Sequence, residues 1–280
     1  MRDIEPAVIT QTVARLCQTA NYELPHDVRQ ALERARHGET AAVACDVLDQ
    51  LLQNADIARE QRIALCQDCG VAVLFAEIGS DAHINGDLYQ AIDEGVRIGY
   101  AEGFLRKSMV RDPLLRDTNT GDNTPAVVHI KLVAGDGLKL TLAPKGGGSE
   151  NMSAVWMMVP AEGRQGVVSR IVERVCQAGG KPCPPLILGV GLGGTMEKAA
   201  LMAKEALLRN VGRPSDIPEV AELEAELLEA VNATGVGPMG LGGATTALAV
   251  HVERHPCHIA SLPLALNVQC HAARHVSVAL

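Results

Sequence analysis

Aromatic side chains are nearly missing from this chain: two Phe, three Tyr and one Trp in 280 residues. Without large rings, a core must be assembled from Ala, Val, Leu and Ile, and a 47% hydrophobic content supplies enough of them. A basic excess is missing too. The 25 Lys and Arg stand against 33 Asp and Glu, a formal charge of −8, which excludes the positive surface that nucleic acids or anionic membranes require. No apolar run approaches the ~18 residues needed to span a bilayer. The start, Met1-Arg2-Asp3-Ile4-Glu5-Pro6, has no apolar stretch of the secretory kind, so the expected compartment is the cytoplasm. No repeat, low-complexity tract or Pro/Ser-rich linker divides the chain. Residues 1–280 therefore read as one domain, with a helical part at about 1–60.

Cysteine, by contrast, is plentiful, with eight residues. A disulfide framework does not suit a long acidic chain with no secretory start. Cys17, Cys45 and Cys176 fall in apolar helical patterns and read as buried small hydrophobes, while Cys257 lies in a His-rich loop. The others stand in three islands: Leu65-Cys66-Gln67-Asp68-Cys69-Gly70, Pro182-Cys183-Pro184-Pro185 and Asn267-Val268-Gln269-Cys270-His271. In each, a regular run gives way to loop-like residues. Three loop thiolates meeting at one point can hold an iron–sulfur cluster and leave one iron open. An open iron is a Lewis acid for hydroxyl and carboxylate oxygens.

Hydrophobic periodicity places helices at 6–20, 26–36, 39–57, about 88–107, 161–178, 195–209 and 217–232. Strands are expected at 71–78, 126–133, 138–142, 185–190, 245–252 and 259–268. Gly135-Asp136-Gly137 separates two alternating runs and signals a hairpin between them. The fold class is mixed α and β (α+β), a helical N-terminal region followed by a mixed region with at least one antiparallel hairpin.

Other motifs compete for the chemistry. Gly189-Val190-Gly191-Leu192-Gly193-Gly194 fits a dinucleotide fingerprint, but no second strand ending in an acidic residue follows, so close glycine packing or an anion-binding helix start is the stronger reading. Cys66-x-x-Cys69 has no second close pair to complete a zinc ribbon, and it runs into a Val-rich strand rather than the helix a redox pair would open. In Lys145-Gly146-Gly147-Gly148-Ser149 the lysine precedes the glycines, so it is not a P-loop, although bare backbone N–H groups there can approach a carboxylate. His251 alternates within a strand and reads as structural. His255 and His258 flank Pro256 and Cys257 in a loop, where a titratable imidazole is more often functional.

Cys66-Gln67-Asp68, Asn119-Thr120-Gly121-Asp122-Asn123-Thr124-Pro125, Lys145-Gly146-Gly147-Gly148-Ser149, Cys183-Pro184-Pro185 and Gly235-Val236-Gly237-Pro238 occur together and in that order. The set resembles the class I, iron–sulfur-dependent fumarate hydratase and tartrate dehydratase family, from about residue 10 onward, in its two-subunit form's α subunit. The resemblance implies a hydro-lyase with a [4Fe–4S] cluster on Cys66, Cys183 and Cys270. It implies substrate contacts from Gln67, Asp68, Arg106 and Gly148, with His258 and Asp68 handling the proton that accompanies hydroxyl loss. It further implies a separate β subunit, in a heterodimer or α2β2 assembly, supplying the C–H base. One departure is Cys69, where family members often carry Thr. The segments around Arg106, Asp122 and Lys145 favour fumarate/malate as the small dicarboxylate. L-tartrate and mesaconate are the alternatives within the family, and a non-catalytic redox-sensing cluster protein is the alternative outside it.

Overall fold

A computed structural model of the chain describes residues 2–280. Its contacts group the residues into two compact units: Met1–Pro25 with Asn54–Gly147 and Arg274–Leu280, and His26–Gln53 with Gly148–Ala273. In chain order the elements are β1 (Arg2–Ile4), α1 (Pro6–Tyr22), α2 (His26–Gly38), α3 (Ala42–Gln61), β2 (Val71–Gly79), β3 (Ala82–Ile84), α4 (Leu88–Glu102), β4 (Val127–Val133), β5 (Leu138–Lys145) and the short α5 (Gly147–Glu150). There follow β6 (Ala154–Met158), α6 (Gly163–Ala178), β7 (Leu186–Gly193), α7 (Met196–Ala206), α8 (Pro218–Asn232), β8 (Ala247–His255), β9 (Leu262–Gln269) and β10 (Val276–Ala279). The fold is mixed α and β, helical at the start.

In the first unit a four-stranded sheet runs β10-β5-β2-β4. Its central strand β2, Val71-Ala72-Val73-Leu74-Phe75-Ala76, is buried from end to end over that run apart from Val71, as a strand covered on both faces should be. Helix α1 sends Ile9, Val13, Leu16 and Cys17 into one core with Ile92, Val96 and Tyr100 of α4 and Leu74, Leu140 and Leu142 of the sheet. The helices can approach this closely because α4 carries glycines at the crossing. A Cβ on Gly95 would stand 2.6 Å from Val13 Cβ, and one on Gly99 would stand 2.7 Å from the Ala14 carbonyl.

The expected hairpin of β4 and β5 does not form. Strand β2 lies between them, parallel to β4 and antiparallel to β5. The turn at Gly135-Asp136-Gly137 instead wraps the end of β2: Gly79 N–H donates to the Gly137 carbonyl and Ser80 N–H to that of Val133, each at 2.8 Å. The most apolar strand has taken the centre, where both its faces are covered.

The second unit repeats this order with different strands, β6-β9-β7-β8. Again an early strand, β7, is parallel to a later one, β8, across a helical crossover, and antiparallel to the strand that follows, β9. Its core joins Val167, Ile171 and Val175 of α6, Leu223, Leu227 and Val231 of α8, and Leu188, Val190, Val250 and Leu266 of the sheet. The glycines of the dinucleotide-like motif lie inside β7, and α7 packs against them. A Cβ on Gly189 or Gly191 would stand 2.0 Å from the carbonyl of Ala203 or Ala199. Close packing, not a phosphate loop, accounts for that motif.

The shared pattern has a functional consequence. In each unit the loop entering the central strand faces the loop leaving its antiparallel partner. In the first unit those are Cys66–Gly70 and Gly146-Gly147, and in the second they are Cys183–Pro185 and Cys270-His271. All three predicted ligand cysteines occupy these sheet-end loops.

Candidate functional site

The loop entering β2 is held from beneath by neutral groups. Asn21 accepts Leu65 N–H and Asn54 donates to the Leu65 carbonyl, both at 2.8 Å. The buried Tyr100 hydroxyl donates to the carbonyls of Cys69 (2.8 Å) and Gly70 (3.1 Å), and Asn123 Nδ2 donates to the latter at 3.1 Å. Gly70 has φ +72°, and a Cβ there would stand 2.7 Å from the Lys145 backbone, so the position requires glycine. On this base Cys66 is half-buried, and its sulfur receives the Asp68 N–H at 3.4 Å.

Asp68 reaches across to the loop leaving β5. One carboxylate oxygen accepts Gly70 N–H at 3.0 Å and the other accepts Gly147 N–H at 2.8 Å. The glycines of the Lys145–Ser149 motif allow this approach, since a Cβ on Gly146 would already press on Asp68 Oδ2 at 3.2 Å. Each oxygen keeps a further acceptor position. Gln67 is exposed beside it.

Arg106 is not on α4, contrary to the expected helix to residue 107. The helix stops at Glu102: Phe104 turns left-handed at φ +50°, and Leu105 N–H returns to the Tyr100 carbonyl at 3.0 Å, a Schellman-type ending. This brings Arg106 N–H to the Cys69 sulfur at 3.2 Å and leaves the arginine exposed. Cys69 is 1% exposed, and burial raises its thiol pKa, against the Arg106 N–H and the charge of Arg274. The two cysteines of Cys66-x-x-Cys69 thus serve different neighbours. Asn123, also in the left-handed region, accepts Ser108 N–H at 2.7 Å and so ties the Arg106 segment to the Asp122–Pro125 motif. Next to it, burial pushes Asp122 up, but hydrogen bonds from Thr124 and Arg97 outweigh this and hold it at about 2.

In the second unit Cys183 ends a tight turn, its N–H bonded to the Gly180 carbonyl at 3.0 Å and its φ at +55°. That conformation is uncommon for a residue with a side chain and fixes where the thiol leaves the turn. The Gly235–Gly243 loop packs behind it, Met239 N–H reaching the Pro184 carbonyl at 2.8 Å. From the end of β9, His271 N–H donates to the Cys183 carbonyl at 3.2 Å, and its Nδ1 lies 3.0 Å from the same oxygen. The turns bearing Cys183 and Cys270 are therefore clamped to each other. Gly148 lies over the same turn, its Cβ position 3.5 Å from the Lys181 carbonyl.

One expectation changes, that for Cys176, and His258 lies at the other end of β9 from Cys270. It sits in the exposed turn before β9, while Cys270 follows that strand, and eight extended residues at ~3.3 Å each separate the two by roughly 26 Å. There its Nδ1 accepts Ala260 N–H at 3.1 Å. Cys176 is exposed rather than buried, because the inward stripe of α6 is Val167, Ile171, Val175 and Ala178. Cys17 is fully buried in α1, and Cys45 is half-buried with its thiol on the Glu39 carbonyl. His251 is buried in β8 against the Ala206 carbonyl. Sequence reasoning did not single out Tyr100, Asn123 as an anchor, or Arg274. No local signal distinguishes them from ordinary core and loop residues.

No three His, Cys, Asp or Glu side chains among the described residues are arranged to chelate a single metal ion. Three thiols at loop ends, one of them already receiving a backbone N–H on sulfur, fit in kind the donors and sulfur hydrogen bonds of an iron–sulfur cluster.

The sequence model of the family described as fumarate hydratase (Fumerase) matches residues 10–279. A protein of Methanocaldococcus jannaschii named "Putative L(+)-tartrate dehydratase subunit alpha" is 40% identical over 272 residues, covering 95% of both chains. The L(+)-tartrate dehydratase subunit alpha of Escherichia coli strain UTI89 is 29% identical over 268 residues, 95% of this chain and 88% of the relative. The K12 strain's protein of the same name is 28% identical over the same length. The chain belongs to the class I fumarate hydratase family, and it is a hydro-lyase.

Proposed function

We propose that this chain is the α subunit of an iron–sulfur L(+)-tartrate dehydratase, active with a separate β subunit. The observation that carries the substrate is the naming of relatives: the Escherichia coli proteins are named L(+)-tartrate dehydratase subunit alpha, and the Methanocaldococcus jannaschii protein, 40% identical along 95% of the chain, carries the same name marked as putative. That moves the reading from fumarate, favoured on sequence motifs, to the alternative from the same family. Tartrate and malate differ by one hydroxyl, so the same site chemistry serves either, and only pocket shape and polar partners distinguish them.

Cys66, Cys183 and Cys270 would hold the cluster, which when bound supplies a Lewis-acid iron that polarises the C–OH bond being broken. The chain's own residues do the rest. Arg106 offers an exposed guanidinium fork that matches a carboxylate bidentately, orienting the substrate. Gly148 leaves its backbone open beside the Cys183 turn. Asp68, fixed by two backbone N–H groups, takes the role at the departing hydroxyl, with the amide of Gln67 beside it. Loss of a C–H proton and of hydroxide from adjacent tartrate carbons gives an enol, which ketonises to a 2-oxo diacid. The C–H base is assigned to the β subunit. His258 is given no part within its own chain.

The test is a substrate comparison on the anaerobically reconstituted complex. We expect kcat/KM for L(+)-tartrate to exceed that for L-malate and fumarate by at least about tenfold, well within what a site that hydrogen-bonds the extra hydroxyl can reach. A preference for malate or fumarate restores the fumarate hydratase reading.

A further inference from the structure

Arg274 takes no part in the reaction just described, yet it is the least compensated side chain of the first unit. It is 4% exposed. Its Nη2 donates to the Asp68 carbonyl at 2.8 Å, while Nε and Nη1 meet no acceptor among the described residues. A buried guanidinium is ordinarily set against a carboxylate, because an unpaired buried charge is costly. The carboxylate of Asp68 itself is turned to the Gly70 and Gly147 N–H groups and makes no hydrogen bond to the guanidinium.

The shape of the loop does not need this charge. Tyr100 and Asn123 already hold the carbonyls of residues 69 and 70 without one. Since the loop's own carboxylate is held by backbone N–H groups instead, a cation in this position suits a further anionic group bound at the loop it supports. We infer that Arg274 is a positioning residue: it fixes the Asp68 peptide and supplies the positive charge that offsets an anionic thiolate-ligated cluster at the Cys66–Gly70 loop. The inference rests on the proposed function. Net charge and nearby donors set a cluster's reduction potential and retention, so both should report on Arg274 independently of turnover.

The complex is reconstituted anaerobically with iron and sulfide as the parent, Arg274→Gln and Arg274→Lys. Iron loss to a chelator and the cluster's reduction potential are then measured. The Gln variant can still donate to the Asp68 carbonyl but carries no charge. It is expected to lose iron about tenfold faster, the scale of an outer-shell change, and to show a more negative potential, since reduction adds an electron where positive charge has been removed. The Lys variant keeps the charge and is expected to stay near the parent in both. A Gln variant equal to the parent in both readouts overturns the inference. So does a Lys variant that loses iron about tenfold faster, which would assign the residue a shape role only, and that arm stands even if the Gln variant fails to fold. A parent that takes up no cluster overturns the proposed function instead.

Discussion

At the scale of single residues, the site separates side chains that hold from side chains that act. Arg106 is tied down through its backbone, on the Cys69 sulfur, so its guanidinium is free to vary in chemistry without disturbing the loop. Arg106→Lys retains charge and loses the fork. It is expected to raise KM and lower kcat/KM by about 10²-fold, on the order of 2–3 kcal/mol, with the cluster spectrum unchanged. An unchanged kcat/KM removes Arg106 from the site. Asp68 is different, because its carboxylate organises Gly70 and Gly147 and is also the group proposed to act at the substrate hydroxyl. Asp68→Asn should cut kcat by roughly 10²–10⁴-fold if it handles a proton. A loss confined to thermal stability would reduce it to an anchor.

At the scale of elements, the longer helices and six of the ten described strands could be read from the sequence, but the short strands β1, β3, β6 and β10 and the order of the strands could not. Period-two and 3.6-residue patterns are local, and the expected segments lie within a few residues of the observed ones. Gly135-Asp136-Gly137 carries the same turn chemistry whether it closes a hairpin or wraps the end of β2. Only the pairing of β2 with Val127–Val133 and Leu138–Lys145 decides between them, and that is a long-range event. The same limit explains the site. Cysteines at loop starts were visible, whereas the buried anchors Tyr100, Asn123 and Arg274 become recognisable only when distant segments meet. The placement of His258 relative to Cys270 was legible, since the strand between them was itself expected at 259–268.

Two predictions test packing and titration within elements. Gly191→Ala sets a Cβ 2.0 Å from a helix carbonyl and should push α7 off β7, at a cost of several kcal/mol seen as a large fall in Tm. A variant as stable as the parent would show that the α7–β7 contact is loose. His251 in β8 is held at about 4, chiefly by burial and then by the charge of Arg209. The unfolded chain takes up that proton near pH 6.5 and the folded chain only near pH 4. Stability from this group is therefore complete above about pH 6.5 and declines as pH falls to about 4, by roughly 3 kcal/mol. His251→Gln should flatten that part of the pH–stability curve, and a curve of unaltered slope would place the acid sensitivity elsewhere.

At the scale of the whole molecule, two units of the same strand pattern each present one sheet-end loop pair, and the cysteines of the proposed cluster are distributed over those loops. The central claim is that Cys66, Cys183 and Cys270 act as one set, while Cys69, two residues from Gln67, belongs to the support. Its most direct test is the iron and sulfide content of anaerobically reconstituted single variants. Cys66→Ser, Cys183→Ser and Cys270→Ser should each lose the intact cluster, whereas Cys69→Ser, Cys17→Ser and Cys176→Ser should retain it. A full cluster in any of the first three, or its loss in Cys69→Ser with the fold preserved, would contradict the account.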